Sequence, residues 1–163
     1  MKPTVAAPAN KPLSASFKHK KPDAGPIVVA IGASAGGLDA IEKFLGRVPA
    51  LSGMAYVVIQ HLDPTQKGMM PELLQRSSLI PVVEADSDMR VQADHAYVIP
   101  PNKDMSILRG TLHLLDAVAA RGMRLPIDYF FRALAEDCHE RAVGVGLSVM
   151  GTDGPLVLRP HPD

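Results

Sequence analysis

Three residues of this chain have the types that acyl transfer uses. Ser34 lies in the run GASAGG, His61 in QHLDP and Asp153 in VMGTDG. A serine hydroxyl becomes an effective nucleophile when a neighbouring base takes its proton. An imidazole titrates close enough to neutrality to be that base. A carboxylate fixes the imidazole tautomer and stabilises the imidazolium. Around Ser34, G-A-S-A-G matches G-x-S-x-G, the pattern of a sharp strand-to-helix turn that leaves a hydroxyl accessible. A helix starting just beyond it aims free N–H groups at the same place, which suits a developing oxyanion.

Each residue also has a plainer reading. Ser34 fits a helix N-cap. His61 fits a tight turn with Asp63 and Pro64, and Asp153, between Thr152 and Gly154, fits a turn as well. The chemical reading rests on all three emerging along one edge of a sheet. A third alternative is phosphate binding at the helix that starts near Gly36. G-x-x-x-G-G is neither the dinucleotide fingerprint nor a P-loop, however, and no lysine follows the glycines. The order Ser, His, Asp also differs from the Ser, Asp, His of the α/β-hydrolases, so a different fold is implied.

The elements that would position these residues alternate in type. Ile27–Ile31 and Ala55–Gln60 are short apolar runs of the buried-strand kind, as is Ala142–Leu147. Pro81–Glu84 and Ala96–Ile99 are further strand candidates. Leu38, Ile41, Phe44 and Leu45 recur at helical spacing within 36–46. Met69–Gln75 reads as a short helix with Pro71 in its first turn. Pro126–Glu140 reads as a longer one, with Ile127, Phe130, Phe131 and Leu134 as its apolar stripe. Arg109-Gly110 between Met105–Leu108 and Thr111–Leu114 predicts a hairpin. Strands alternating with helices predict a doubly wound α/β domain, with a mainly parallel sheet and helices on both faces. Ligands of such sheets bind beyond the carboxyl ends of the strands, where Ser34, His61 and Asp153 all fall. Pro100-Pro101-Asn102 also follows a strand, and either lines that cleft or turns the chain.

Bulk properties narrow the classes. The 163 residues suffice for one domain. Lys plus Arg and Asp plus Glu both number 17, so no net field favours nucleic acid or an anionic membrane. Tryptophan is absent and aromatics make up 4%, which leaves no stacking platform for single strands. The single cysteine, Cys138, excludes an internal disulfide and a multi-cysteine zinc site, and reads as a packed or exposed thiol. His95, His113 and His139 lack metal-ligand spacing and read as surface or strand-end residues. Met54, Met69 and Met70 read as core or rim packing. No apolar run approaches the roughly 18 residues of a membrane span. Residues 1–25, rich in Pro, Ala, Lys and Ser and without an apolar h-region, read as a disordered tail or linker, with the folded domain at 26–163.

Taken in order, IGASAGGLDAIEKF, VVIQHLDPT, AYVIPPNKDM, MRLPIDYFFRALAED and LSVMGTDG resemble the CheB-type protein-glutamate methylesterase domain, especially the one in fusions with a methyltransferase. The resemblance runs from about Pro26 to Asp153. It implies a doubly wound α/β fold and cytoplasmic hydrolysis of glutamate methyl esters on methyl-accepting chemoreceptors, with glutamine deamidation in some members. It implies no metal and no organic cofactor, and the charge balance argues against a nucleic-acid partner. Ser34 then attacks the ester, His61 shuttles the proton and Asp153 orients His61. Ala35 and Met150 fall at the oxyanion side of the cleft. Residues 1–25 leave no room for a receiver domain, so control by phosphorylation is not expected.

Two departures from the family pattern bear on activity. Val149 stands where members have glycine; if that position has a positive φ, valine costs roughly 1–2 kcal/mol. After Asp153 the family continues into a helix and further strands, whereas this chain reads GPLVLRPHPD. Pro160 and Pro162 break any helix there. The expectation is a domain truncated at its C-terminus, with a bare sheet edge. The competing expectation is a catalytically impaired remnant that keeps only a receptor- or partner-binding surface.

Overall fold

The computed structural model describes residues 25–34, 36–60, 69–117 and 125–147. Eight strands and three helices occur among them, in the order β1 (Val28–Ala33), α1 (Leu38–Leu45), β2 (Ala55–Gln60), α2 (Met69–Ser77), β3 (Val82–Glu84), β4 (Met89–Arg90), β5 (Ala96–Val98), β6 (Lys103–Leu108), β7 (Thr111–Asp116), α3 (Pro126–Cys138) and β8 (Ala142–Leu147). A 3-10 turn, His139–Arg141, joins α3 to β8.

Five strands form a parallel sheet in the order β3-β5-β2-β1-β8. Every residue of β1 and β2 is buried, which is why both read as unbroken apolar runs rather than alternating ones. Alternate side chains nevertheless serve different layers. Val29, Ile31 and Ala33 of β1 join Tyr56 and Val58 of β2 against Ile41 and Leu45 of α1 and Met70 and Leu74 of α2. Val28, Ala30, Val57 and Ile59 face the other way, onto Ile127, Phe130, Phe131 and Leu134 of α3. Helices therefore cover both faces, as the sequence predicts. Phe130, Ile127, Leu134, Ile41 and Leu74 are nearly or wholly inaccessible, and each such side chain contributes about 1.5–3 kcal/mol by leaving water.

The second, antiparallel sheet β4-β7-β6 packs on the α3 side, through Met105, Ile107 and Leu112. Its β6–β7 turn has Arg109 at φ 52° and Gly110 at φ 73°. Two positive φ values are the mark of a type I′ hairpin turn, whose twist matches that of the flanking strands. Both amides of that turn donate to the Asp137 carboxylate at the end of α3, Gly110 N at 2.9 Å.

β8 is different. It has the sequence of a buried strand, yet among the described residues its only neighbour is β1, and Val143 is 41% exposed. Among the described residues no strand pairs with its other side. Met70 is buried and Met54 packs beside the core, but Met69 is exposed, which corrects its assignment to packing. No helix among the described residues is long and apolar enough to cross a membrane.

Candidate active site

Ser34 is the residue that follows β1, the strand at which the winding reverses: β2 lies on one side of it by way of α1, and β8 on the other by way of α3. Ligands of doubly wound sheets bind at such a switch point, outside the carboxyl ends of the strands. The register is level there. Ala33 pairs with Gln60 on one side and with Leu147 on the other. β2 thus ends one residue before His61, and β8 ends six residues before Asp153. Six residues of chain reach at most roughly 20 Å, ample to return to the neighbouring strand end. Ala35, His61, Met150 and Asp153 themselves lie outside the described residues.

The glycines around Ser34 divide the work of making its turn. The amide of Gly37 donates to the Ser34 carbonyl at 2.9 Å, closing a four-residue turn. Gly36 sits at φ 90°, the left-handed region that the third position of a type II turn demands and side chains avoid. Gly37 has an ordinary φ but no room: a Cβ there would lie 2.6 Å from the Ala33 Cβ and 3.0 Å from the Ser34 oxygen. Gly32 admits α3, since a Cβ there would lie 2.5 Å from Ile127 Cγ2. The strand, the turn and both helix layers therefore meet around Ser34, which is itself only 8% exposed.

The N-cap reading of Ser34 does not hold. α1 begins at Leu38 with Gly37 as its N-cap, and no side chain caps it. The helix starts four residues beyond the serine, so its first turn, with the Gly37 carbonyl accepting the Ile41 amide at 3.0 Å, follows the Ser34 turn directly. The local geometry is the strand–turn–helix that G-x-S-x-G requires.

A family model described as CheB methylesterase matches residues 29–159, which spans the strand, the turn and all three strand ends. The chain belongs to the CheB methylesterase family. A relative from Photorhabdus laumondii, named protein-glutamate methylesterase/protein-glutamine glutaminase, is 34% identical over 161 residues, covering 96% of this chain and 43% of the relative. An Escherichia coli relative of the same name is 36% identical over 155 residues, covering 90% of this chain and again 43% of the relative. The chain thus spans less than half the length of these curated relatives. The crystal structure of the Thermotoga maritima CheB methylesterase catalytic domain superposes with a TM-score of 0.70 at 24% identity, over 82% of this chain and 72% of that one. At that identity the likeness speaks for the fold.

Set on this CheB methylesterase fold, one residue at the strand ends was not singled out by the sequence. Gln60 closes β2 and is 6% exposed. Its Nε2 donates to the Ser34 carbonyl at 3.3 Å, the same oxygen that accepts the Gly37 amide. Two donors on one carbonyl fix the peptide plane that follows the serine. The Gln60 Oε1 atom is buried and has no hydrogen-bond partner among the described residues. The signal was present in the sequence: a polar residue ends an otherwise apolar strand, AYVVIQ, directly before His61.

The other titratable candidates fall away from Ser34. Burial, and secondarily the charge of Asp137, pushes the Cys138 thiol above its ordinary range, so it is held as a neutral thiol rather than a nucleophile. His95 Nδ1 lies 2.8 Å from the Ala93 carbonyl. His113 on β7 lies 3.7 Å from Asp88, at the surface. Among the described residues no group of three or more His, Cys, Asp or Glu is placed to hold a metal ion.

Proposed function

We propose that this chain is a serine esterase that hydrolyses glutamate methyl esters on the signalling helices of chemoreceptors. The observation that carries the reading is the level register of β2, β1 and β8, which sets Ser34 between the strand ends that lead to His61 and Asp153. The family, and relatives named protein-glutamate methylesterase, support glutamate methyl esters of proteins as the substrate class, and the family resemblance points to chemoreceptors as the proteins that carry them.

In this reading His61 takes the Ser34 proton as Oγ adds to the ester carbonyl. The oxyanion is met by backbone amides, those of Ala35 and Met150, beside the α1 N-terminus. His61 then returns the proton to the departing methoxide, so methanol leaves and a glutamyl ester of Ser34 remains. Water, deprotonated by His61, adds to that ester and frees the glutamate and the serine. Asp153 holds the imidazole tautomer throughout. Glutamine deamidation follows the same course with ammonia as the leaving group.

The test is methanol release from methylated chemoreceptor. The account expects turnover that falls by about 10³-fold or more in Ser34→Ala and in His61→Ala, with receptor association retained. Receptor association with no turnover in the parent protein would overturn the enzyme reading in favour of a binding remnant. Unchanged turnover in Ser34→Ala would remove the serine from the chemistry.

A further inference from the structure

The end of the sheet opposite Ser34 carries a concavity of about 530 Å³. Val28, the first residue of β1, lies in its wall, so it stands a full strand, roughly 20 Å, from the serine. Three arginines line it from three separate elements: Arg90 from β4, Arg109 from the β6–β7 turn and Arg141 from the 3-10 turn before β8. None of the three is ion-paired with a carboxylate among the described residues. One carboxylate, Asp137, also lines the cavity, but both its oxygens are engaged by the amides of the hairpin turn. Arg141 donates once, to the Pro26 carbonyl at 3.1 Å, and keeps its remaining N–H groups.

Three arginines on one concavity outnumber its single carboxylate and give it a positive field, although Arg90 and Arg109 are themselves open to solvent. An anion with several oxygens meets that field and fits the planar fork of a guanidinium. The volume lies in the range of small-molecule sites and exceeds what one phosphate group fills.

We propose that this cavity binds a small ligand bearing two adjacent phosphate groups, held by Arg90, Arg109 and Arg141. The site is separate from Ser34 and does not depend on the esterase reading.

Inorganic pyrophosphate titrated calorimetrically into the intact chain at low salt is the probe. The expected result is saturable one-to-one binding that weakens as salt rises and survives Ser34→Ala. Arg90→Gln with Arg109→Gln should weaken it about tenfold or more. Both side chains are exposed and make no hydrogen bond to the rest of the described fold, so the double variant keeps its melting temperature. Inorganic phosphate should bind more weakly than pyrophosphate. Citrate bound as tightly as pyrophosphate would refute the phosphate assignment, since only charge would then be read. No saturable binding at millimolar pyrophosphate, or binding unaffected by the double variant, would overturn the site.

Discussion

Replacing Gly37 by alanine tests the packing of the Ser34 turn with a single methyl group. The backbone at Gly37 has φ −78°, which alanine adopts without strain, so any effect is steric. The added Cβ would stand 2.6 Å from the Ala33 Cβ and 3.0 Å from the Ser34 carbonyl oxygen. Carbon atoms prefer about 3.5–4.0 Å, so the first contact is about an ångström too short, and neither partner is the end of a flexible side chain. Overpacking of this kind costs about 1–3 kcal/mol. At about 4 °C per kcal/mol, the melting temperature should fall by about 4–12 °C. Relief requires the turn to move away from β1, and the Ser34 carbonyl moves with it. A displacement near 1 Å at a nucleophile costs on the order of 10²-fold in turnover. The assays are a melting curve and ester hydrolysis, with Gly53→Ala as a control. Gly53 has φ 75° and nothing within 4 Å, so its variant carries backbone strain but leaves the serine alone. A Gly37→Ala protein that melts and turns over like its parent would refute the reasoning.

The remaining predictions concern three other residues. Gln60→Leu keeps the volume but removes the donor on the Ser34 carbonyl; kcat should fall by roughly tenfold with KM little changed, measured on the methyl ester. Asp137→Ala leaves two amides of the hairpin turn without their carboxylate, and chemical denaturation should show a loss of about 1–3 kcal/mol. Cys138, with its pKa raised chiefly by burial, stays protonated further above neutrality than a free thiol. Alkylation at pH 7 should therefore be slow in the folded protein and fast in denaturant, as read by mass spectrometry.

Much of this architecture is legible in the sequence because burial on both faces writes itself as an apolar run. β2 and β8 occupy the very residues expected, Ala55–Gln60 and Ala142–Leu147, and α3 begins at Pro126 as its fixed φ suggests. What escaped was decided by partners distant in the chain. β4 is two residues long and exists only through its pairing with β7, so no local pattern marks it. The place of β5 between β3 and β2, and the edge position of β8, are set by the sheet as a whole. At the site, G-x-S-x-G gave the turn correctly, whereas Gly32 and Gly37 reveal their purposes only when Ile127 and Ala33 are seen against them. Gln60 was passed over because a polar strand end looks like any strand end until its amide is found on the serine carbonyl.

The central claim is that Ser34 carries the acyl group. Reaction with a serine-directed fluorophosphonate, followed by peptide mass mapping, tests it most directly. The account predicts one adduct, on the peptide containing Ser34, lost in Ser34→Ala and strongly slowed in His61→Ala. Labelling that persists in Ser34→Ala, or a parent protein that hydrolyses receptor methyl esters while Ser34 stays unmodified, would contradict it.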